Sequence, residues 1–129
     1  RKLMAYYLEP VAIKNELTLE EARILLALSY VPKVKNRKEL ADFLEISERH
    51  QASLFRKFYA NGYVSVKKKR GMERLEITFL SKAEKILIEL KQAEREFEKA
   101  KFLKLTESEL MEYHRLSEII KENTLRLVF

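Results

Sequence analysis

The stretch Asn36–Phe79, NRKELADFLEISERHQASLFRKFYANGYVSVKKKRGMERLEITF, decides the fold of this chain. Its first part sets Leu40, Phe43 and Leu44 behind Asn36, and its second sets Leu54, Phe55 and Phe58 behind Ser47. Both spacings gather the apolar side chains on one face of a helix. Asn and Ser are N-cap residues, because a short side-chain oxygen accepts from an otherwise unpaired amide of the first turn. Glu39, three residues after Asn36, makes a close variant of the capping box. Helix 36–45, the link Ile46-Ser47 and helix 48–60 therefore have the lengths of a helix-turn-helix. Asn61-Gly62 ends the second helix, since Gly tolerates the left-handed conformation that follows a C-cap. The pattern then changes. Tyr63-Val64-Ser65-Val66 and Leu75–Phe79 are rich in β-formers, and the second alternates apolar and polar residues. Between them lie Lys67-Lys68-Lys69-Arg70 and Gly71, the one glycine available for a hairpin tip.

Charge is concentrated in the same place. From Ser47 to Arg74 the positives are Arg49, Arg56, Lys57, Lys67, Lys68, Lys69, Arg70 and Arg74, against Glu48 and Glu73. The formal net charge of the whole chain is +6, and this stretch carries all of it; the other 101 residues hold 18 basic and 18 acidic side chains. A solvated basic surface would spread its charge, whereas a polyanion-binding site concentrates it.

Outward from that segment the chain is helical. Thr18/Glu21, Ser81/Glu84 and Thr106/Glu109 read as capping boxes. The first opens a helix through Ile24, Leu25 and Leu28. The other two open longer helices, through Ile86, Leu90, Ala93, Phe97 and Ala100, and through Leu110, Tyr113, Leu116 and Ile120. Residues 1–15 form another, which Pro10 bends or whose second part it opens. The expected fold class is mainly α with a small β-hairpin wing. At 129 residues this is one domain with room for a core. Two glycines and two prolines leave little scope for the turns of a sandwich or barrel. The absence of cysteine excludes a disulfide framework, zinc ribbons and thiol catalysis, and fits a reducing cytoplasm. The longest apolar run is far short of the roughly 20 residues a membrane span needs, and no signal-peptide pattern is read, so a cytoplasmic location with no membrane partner is expected.

In a helix-turn-helix the second helix lies in the major groove with its polar face outward. Here that face offers Arg49, His50, Ser53, Arg56 and Lys57. Arg suits guanine O6 and N7, while Ser, His and Lys reach bases or phosphates. Asn36, Arg37 and Lys38 at the start of the first helix join the candidate set. The hairpin serves as a wing, whose Lys67, Lys68, Lys69 and Arg70, with Arg74 following, reach a neighbouring minor groove or the phosphate backbone. Double-stranded DNA is the expected partner. No Gly-rich phosphate loop, nucleophile elbow or metal-binding His pair is present, so neither an enzyme nor a cofactor is expected. His50 and His114, far apart and without cysteines, make no zinc site.

LTLEEARILLAL, the helix-turn-helix stretch and RLEITFLSKAEKIL follow in order the elements of MarR-type winged helix-turn-helix regulators. FLKLTESELMEYHRLSEIIKENTLRL is similar to that family's C-terminal dimerisation helix, and the resemblance covers residues 17–125. It implies a homodimer whose first and last helices intertwine around a two-fold axis, bound to a pseudo-palindromic operator and acting as a repressor. A small-molecule effector, often an aromatic acid, releases DNA in many members by entering a crevice between the DNA-binding and dimerisation parts. The division implied is 1–17, an N-terminal dimerisation helix; 18–80, the DNA-binding domain; and 81–129, the C-terminal dimerisation helices. Arg74 falls on the family's wing arginine, and Arg49, His50, Ser53 and Arg56 fall on recognition-helix positions that face DNA. The chain departs from the pattern at Met72, where an acidic residue usually braces the wing arginine, and at Glu84, where a glycine usually follows the wing.

Other features keep a plainer reading beside this one. Tyr6, Tyr7, Tyr30 and Tyr113 line a ligand crevice or pack in the core or a dimer. The Ile86-Leu90-Ala93-Phe97-Ala100 seam packs against a partner subunit. The apolar ending Leu125–Phe129 is explained by burial in a dimer. The alternative to a DNA-binding regulator is a winged-helix protein-interaction module that meets an acidic partner.

Overall fold

The structure is a computed structural model that describes residues 2–103 and 105–128. Among them the elements run α1 (Lys2–Lys14), α2 (Leu19–Leu28), α3 (Arg37–Leu44), α4 (Glu48–Ala60), β1 (Val64–Lys68), β2 (Leu75–Phe79), α5 (Ser81–Lys101) and α6 (Glu107–Val128). This is the expected mainly helical chain with one hairpin, a winged helix-turn-helix between flanking helices. The ending at Phe129 lies outside the described residues, as do the side chains of Arg126, Leu127 and Val128, so the burial expected there has no counterpart among them.

The chain divides into two compact units, Arg1–Phe97 and Glu98–Phe129. In the first, α2 is the central helix, with Ala22, Ile24, Leu25, Leu26 and Leu28 all buried. Leu8 and Ala12 of α1, Leu40 and Leu44 of α3, Leu54, Phe55 and Phe58 of α4, and Ile86, Leu87 and Leu90 of α5 complete the same core. Phe58 is fully enclosed, stacked on Phe55 at 6.3 Å and edge-on to Tyr63 at 6.1 Å. That triad fixes the exit of α4 into the hairpin. α1 runs through Pro10 as one helix, so the proline does not open a separate second part.

Local signals set most helix starts. Thr18 and Glu21 close a full capping box, the Glu21 amide donating to Thr18 Oγ1 (3.0 Å) and the Thr18 amide to Glu21 Oε1 (2.8 Å). Thr106 and Glu109 do the same. Asn36 caps α3 by accepting from the Glu39 amide, but the Glu39 carboxylate reaches back to the amide of Lys35, one residue earlier than in a capping box. Ser47 caps α4, accepting from the His50 amide. The capping box expected at Ser81/Glu84 does not form. The Leu80 amide extends the hairpin ladder to the Tyr63 carbonyl, and the Leu80 carbonyl accepts from the Ala83 and Glu84 amides. Leu80 thus stands at the cap, and Ser81 is already the first helical residue.

Helix ends are less orthodox. Gly62 takes φ +75° after α4, with Tyr63 donating back to Phe58 and Gly62 to Tyr59, a Schellman closure. The same closure follows α1 and α3 with glutamates in the left-handed position, Glu16 (φ 57°) and Glu45 (φ 58°). In the hairpin, antiparallel pairing runs from Val64↔Phe79 to Lys68↔Leu75. Residues 69–74 form the wing loop, where Gly71 (φ +83°) supplies the positive φ. Leu75 donates to the Val34 carbonyl (2.9 Å), which ties the α2–α3 link to the start of β2, where the wing loop ends.

The second unit holds the end of α5 and α6. Phe102 packs on Tyr113, ring centroids 5.0 Å apart, and beside His114. Among the described side chains of α6, Met111, Leu116, Ile119, Ile120 and Leu125 stand exposed, as does much of Tyr113.

Candidate nucleic-acid interface

α4 divides by helical geometry into two faces. Gln51, Leu54, Phe55 and Phe58 point into the core at i, i+3, i+4 and i+7. Arg49, Ala52, Ser53, Arg56 and Tyr59 form the exposed stripe on the other side. Gln51 is enclosed, and its Nε2 donates to the Arg37 carbonyl (2.9 Å). This bond pins the first turn of α3 to α4, and with it the crossing of the helix-turn-helix. Sequence reasoning passed over Ala52 and Tyr59. Ala52 is small and apolar beside two arginines, the kind of side chain that meets a thymine methyl, and nothing in its type marks it out.

The candidate residues divide by their partners. Lys38, Arg49, Ser53, Arg56, Lys67, Lys68, Arg70 and Arg74 are exposed, and their side chains make no ion pair or hydrogen bond among the described residues. The others are engaged. Asn36 Oδ1 is held by the cap of α3. Arg37 Nη2 donates to the Val66 carbonyl (3.2 Å), joining α3 to β1. His50 Nε2 meets Glu20 Oε1 at 2.7 Å, both side chains about half exposed. Lys57 Nζ meets Glu21 Oε2 at 3.0 Å. Lys69 pairs with Glu76 across the hairpin at 3.0 Å. Lys67 and Lys68, expected at the hairpin tip, lie within β1, so the loop proper offers Lys69, Arg70 and Arg74.

Glu21 is the buried carboxylate of the region. Burial pushes its carboxyl up, but the Thr18 backbone and side chain and the Lys57 ammonium together hold it below the usual carboxylate range.

A crevice opens between α1 and α5, lined by Tyr6, Tyr7, Val11, Ile88, Gln92 and Arg95 among others. Tyr6 and Tyr7 meet edge to face at 5.6 Å. Tyr30 does not line it; its hydroxyl donates to the Glu94 carboxylate, with Lys91 over its ring. Tyr113 belongs to the second unit, against Phe102. No group of His, Asp or Glu side chains among the described residues is arranged to hold a metal ion. No helix there is long and apolar enough to cross a membrane.

No protein-family model matches the sequence, and no curated protein matches it. Solved structures do match the fold. A MarR transcriptional regulator from Methanosarcina mazei Go1 superposes with a TM-score of 0.68 at 20% identity, over 95% of this chain and 88% of that one. A regulator assigned to the MarR family from Listeria monocytogenes, complexed with 26mer DNA, gives 0.69 at 14% identity, over 95% and 81%. A MarR-family protein of Mycobacterium tuberculosis in complex with salicylic acid gives 0.64 at 22% identity, over 93% and 86%. At such identities the likeness establishes the fold over nearly the whole chain, while function has to be argued from the site.

Proposed function

We propose that this chain is a sequence-specific, double-stranded-DNA-binding transcriptional regulator of the MarR type, acting as a homodimer on a pseudo-palindromic operator. The observation that carries the reading is a cluster of exposed cations on the recognition helix and hairpin that no carboxylate among the described residues pairs. Arg49 and Arg56 on the exposed stripe of α4, with Lys67, Lys68, Arg70 and Arg74 on the hairpin, carry positive charge with no acidic partner among the described residues. Such a surface suits a phosphate backbone, and Arg49, His50, Ser53 and Arg56 supply the side-chain types that read base edges. Residues 18–80 then make the DNA-binding domain. Residues 1–17 and 81–129 make the dimerisation region, whose exposed apolar side chains on α6 are buried against the partner copy.

Repression follows from occupancy: a dimer seated across a promoter excludes polymerase. The α1–α5 crevice is the place for an effector, a small aromatic acid held by the two tyrosine rings and the Arg95 guanidinium. The structural neighbour bound to salicylic acid supports that ligand class. Location in the cytoplasm goes with the same reading.

Salt titration of duplex binding tests it. Each phosphate neutralised contributes a slope of about −0.9 in log K against log salt, so wild type should weaken steeply as salt rises. Arg56→Ala and the triple variant at Lys67, Lys68 and Lys69 should lose affinity and flatten that slope. Salt-insensitive binding retained in those variants sinks the proposal, as would failure to select any duplex from a random library, the result expected of a module that docks an acidic protein.

A further inference from the structure

Resting on that DNA-binding reading, we infer that Lys57 is held as the counter-ion of the buried Glu21 of α2 and is not a DNA contact, so that Glu21 decides which cations of α4 are free to meet phosphate. Glu21 is the one buried carboxylate among the described residues. Both its oxygens are occupied, Oε1 by the Thr18 amide at 2.8 Å and Oε2 by Lys57 Nζ at 3.0 Å. Thr18, Glu21 and Lys57 thus form a chain from the capping box that starts α2 to the last turn of α4. The capping box that begins α2 also supplies the counter-ion for a cation in the last turn of α4.

Two physical reasons withdraw Lys57 from the nucleic acid. A phosphate that drew the ammonium away would leave Glu21 charged, buried and unpaired, which is strongly unfavourable. Left in place, the pair is neutral as seen from the backbone of a duplex, so it displaces no condensed counterion. His50 and Glu20 differ. Lys57 is as exposed as His50, but Glu20, unlike Glu21, is itself about half exposed, so water screens it and the imidazole changes partner at little cost. Arg49 and Arg56 make no ion pair among the described residues.

The test is a salt titration of a fluorescein-labelled, mixed-sequence duplex read by anisotropy, with urea melts of each variant to establish folding. Lys57→Met should keep the wild-type salt slope, whereas Arg56→Ala should lower it by about 0.9 per subunit. Glu21→Gln keeps the acceptor for the Thr18 amide and removes the charge. It should free Lys57 and steepen the slope by about 0.9 per subunit, tightening binding most at low salt. A purely structural pair would not move the slope in that direction. If Lys57→Met does not fold, the double variant Glu21→Gln/Lys57→Met, which strands no charge, carries the comparison and should match the wild-type slope. A slope lowered in Lys57→Met, or in the double variant, as it is in Arg56→Ala overturns the inference alone. A wild-type protein that does not bind the duplex removes the DNA-binding reading and this inference with it.

Discussion

α4 and α6 are both amphipathic helices, and they meet opposite ends. α4 seats Leu54, Phe55 and Phe58 in the core and turns its arginines outward. α6 leaves Leu116, Ile119 and Ile120 exposed along its length. The difference teaches that an apolar stripe reports a need for cover without saying who supplies it. α4 finds its cover in α2, α3 and the hairpin of its own unit. For α6 the proposed cover is a second copy, because contiguous apolar surface of this kind is costly to leave in water.

The largest expected effect breaks the contrast from the α6 side. Leu116→Asp/Ile120→Asp should give monomers by analytical ultracentrifugation. Affinity for a two-half-site duplex should fall by about 10²–10⁴-fold, because joined half-sites bind at high effective concentration. Unchanged dimers would mean that α6 is covered in another way. From the α4 side, Phe58→Ala empties the centre of the triad with Phe55 and Tyr63. It should cost roughly 3–5 kcal/mol in urea unfolding, and a loss below about 1 kcal/mol would show that the site collapses freely.

A smaller effect is resolved by pH. The carboxyl of Glu21 is held low in the folded chain, despite its burial, by Thr18 and Lys57. Its stabilising contribution is therefore complete above the ordinary carboxylate pKa and is lost as pH falls through the lower folded value. Glu21→Gln should remove that part of the acid limb in a stability–pH profile, with the remaining limb unchanged in shape. An identical acid limb in variant and wild type would contradict it. The smallest effect lies outside both helices. Glu16→Gly relieves a left-handed non-glycine residue after α1 and should stabilise by about 1 kcal/mol, read as a rise of a few degrees in Tm.

Much of the fold was legible because its signals are local. The caps at Thr18, Asn36, Ser47 and Thr106 lie within one turn of the helices they start, and Gly62 carries the ending of α4 in its own lack of a Cβ. Where a distant strand intervened, the local signal misled. Ser81 has the spacing of a capping box, yet the Leu80–Tyr63 bond moves the cap one residue back. Glu16 and Glu45 gave no warning, since nothing in a glutamate announces the left-handed region. The burial of Gln51 depends on the Arg37 carbonyl, 14 residues away in the chain.

The candidate site divides along the same line. Sequence alone located the positive charge in Ser47–Arg74 and ordered the elements that carry it, because side-chain type and helical period are properties of neighbouring residues. Which of those charges remain free was decided only by the tertiary structure. Glu20 and Glu21, nearly 30 residues before α4 begins, face His50 and Lys57, and Glu76 faces Lys69. Charge is written along the chain, but neutralisation acts through space over a few ångströms, and only the folded chain brings those carboxylates within reach.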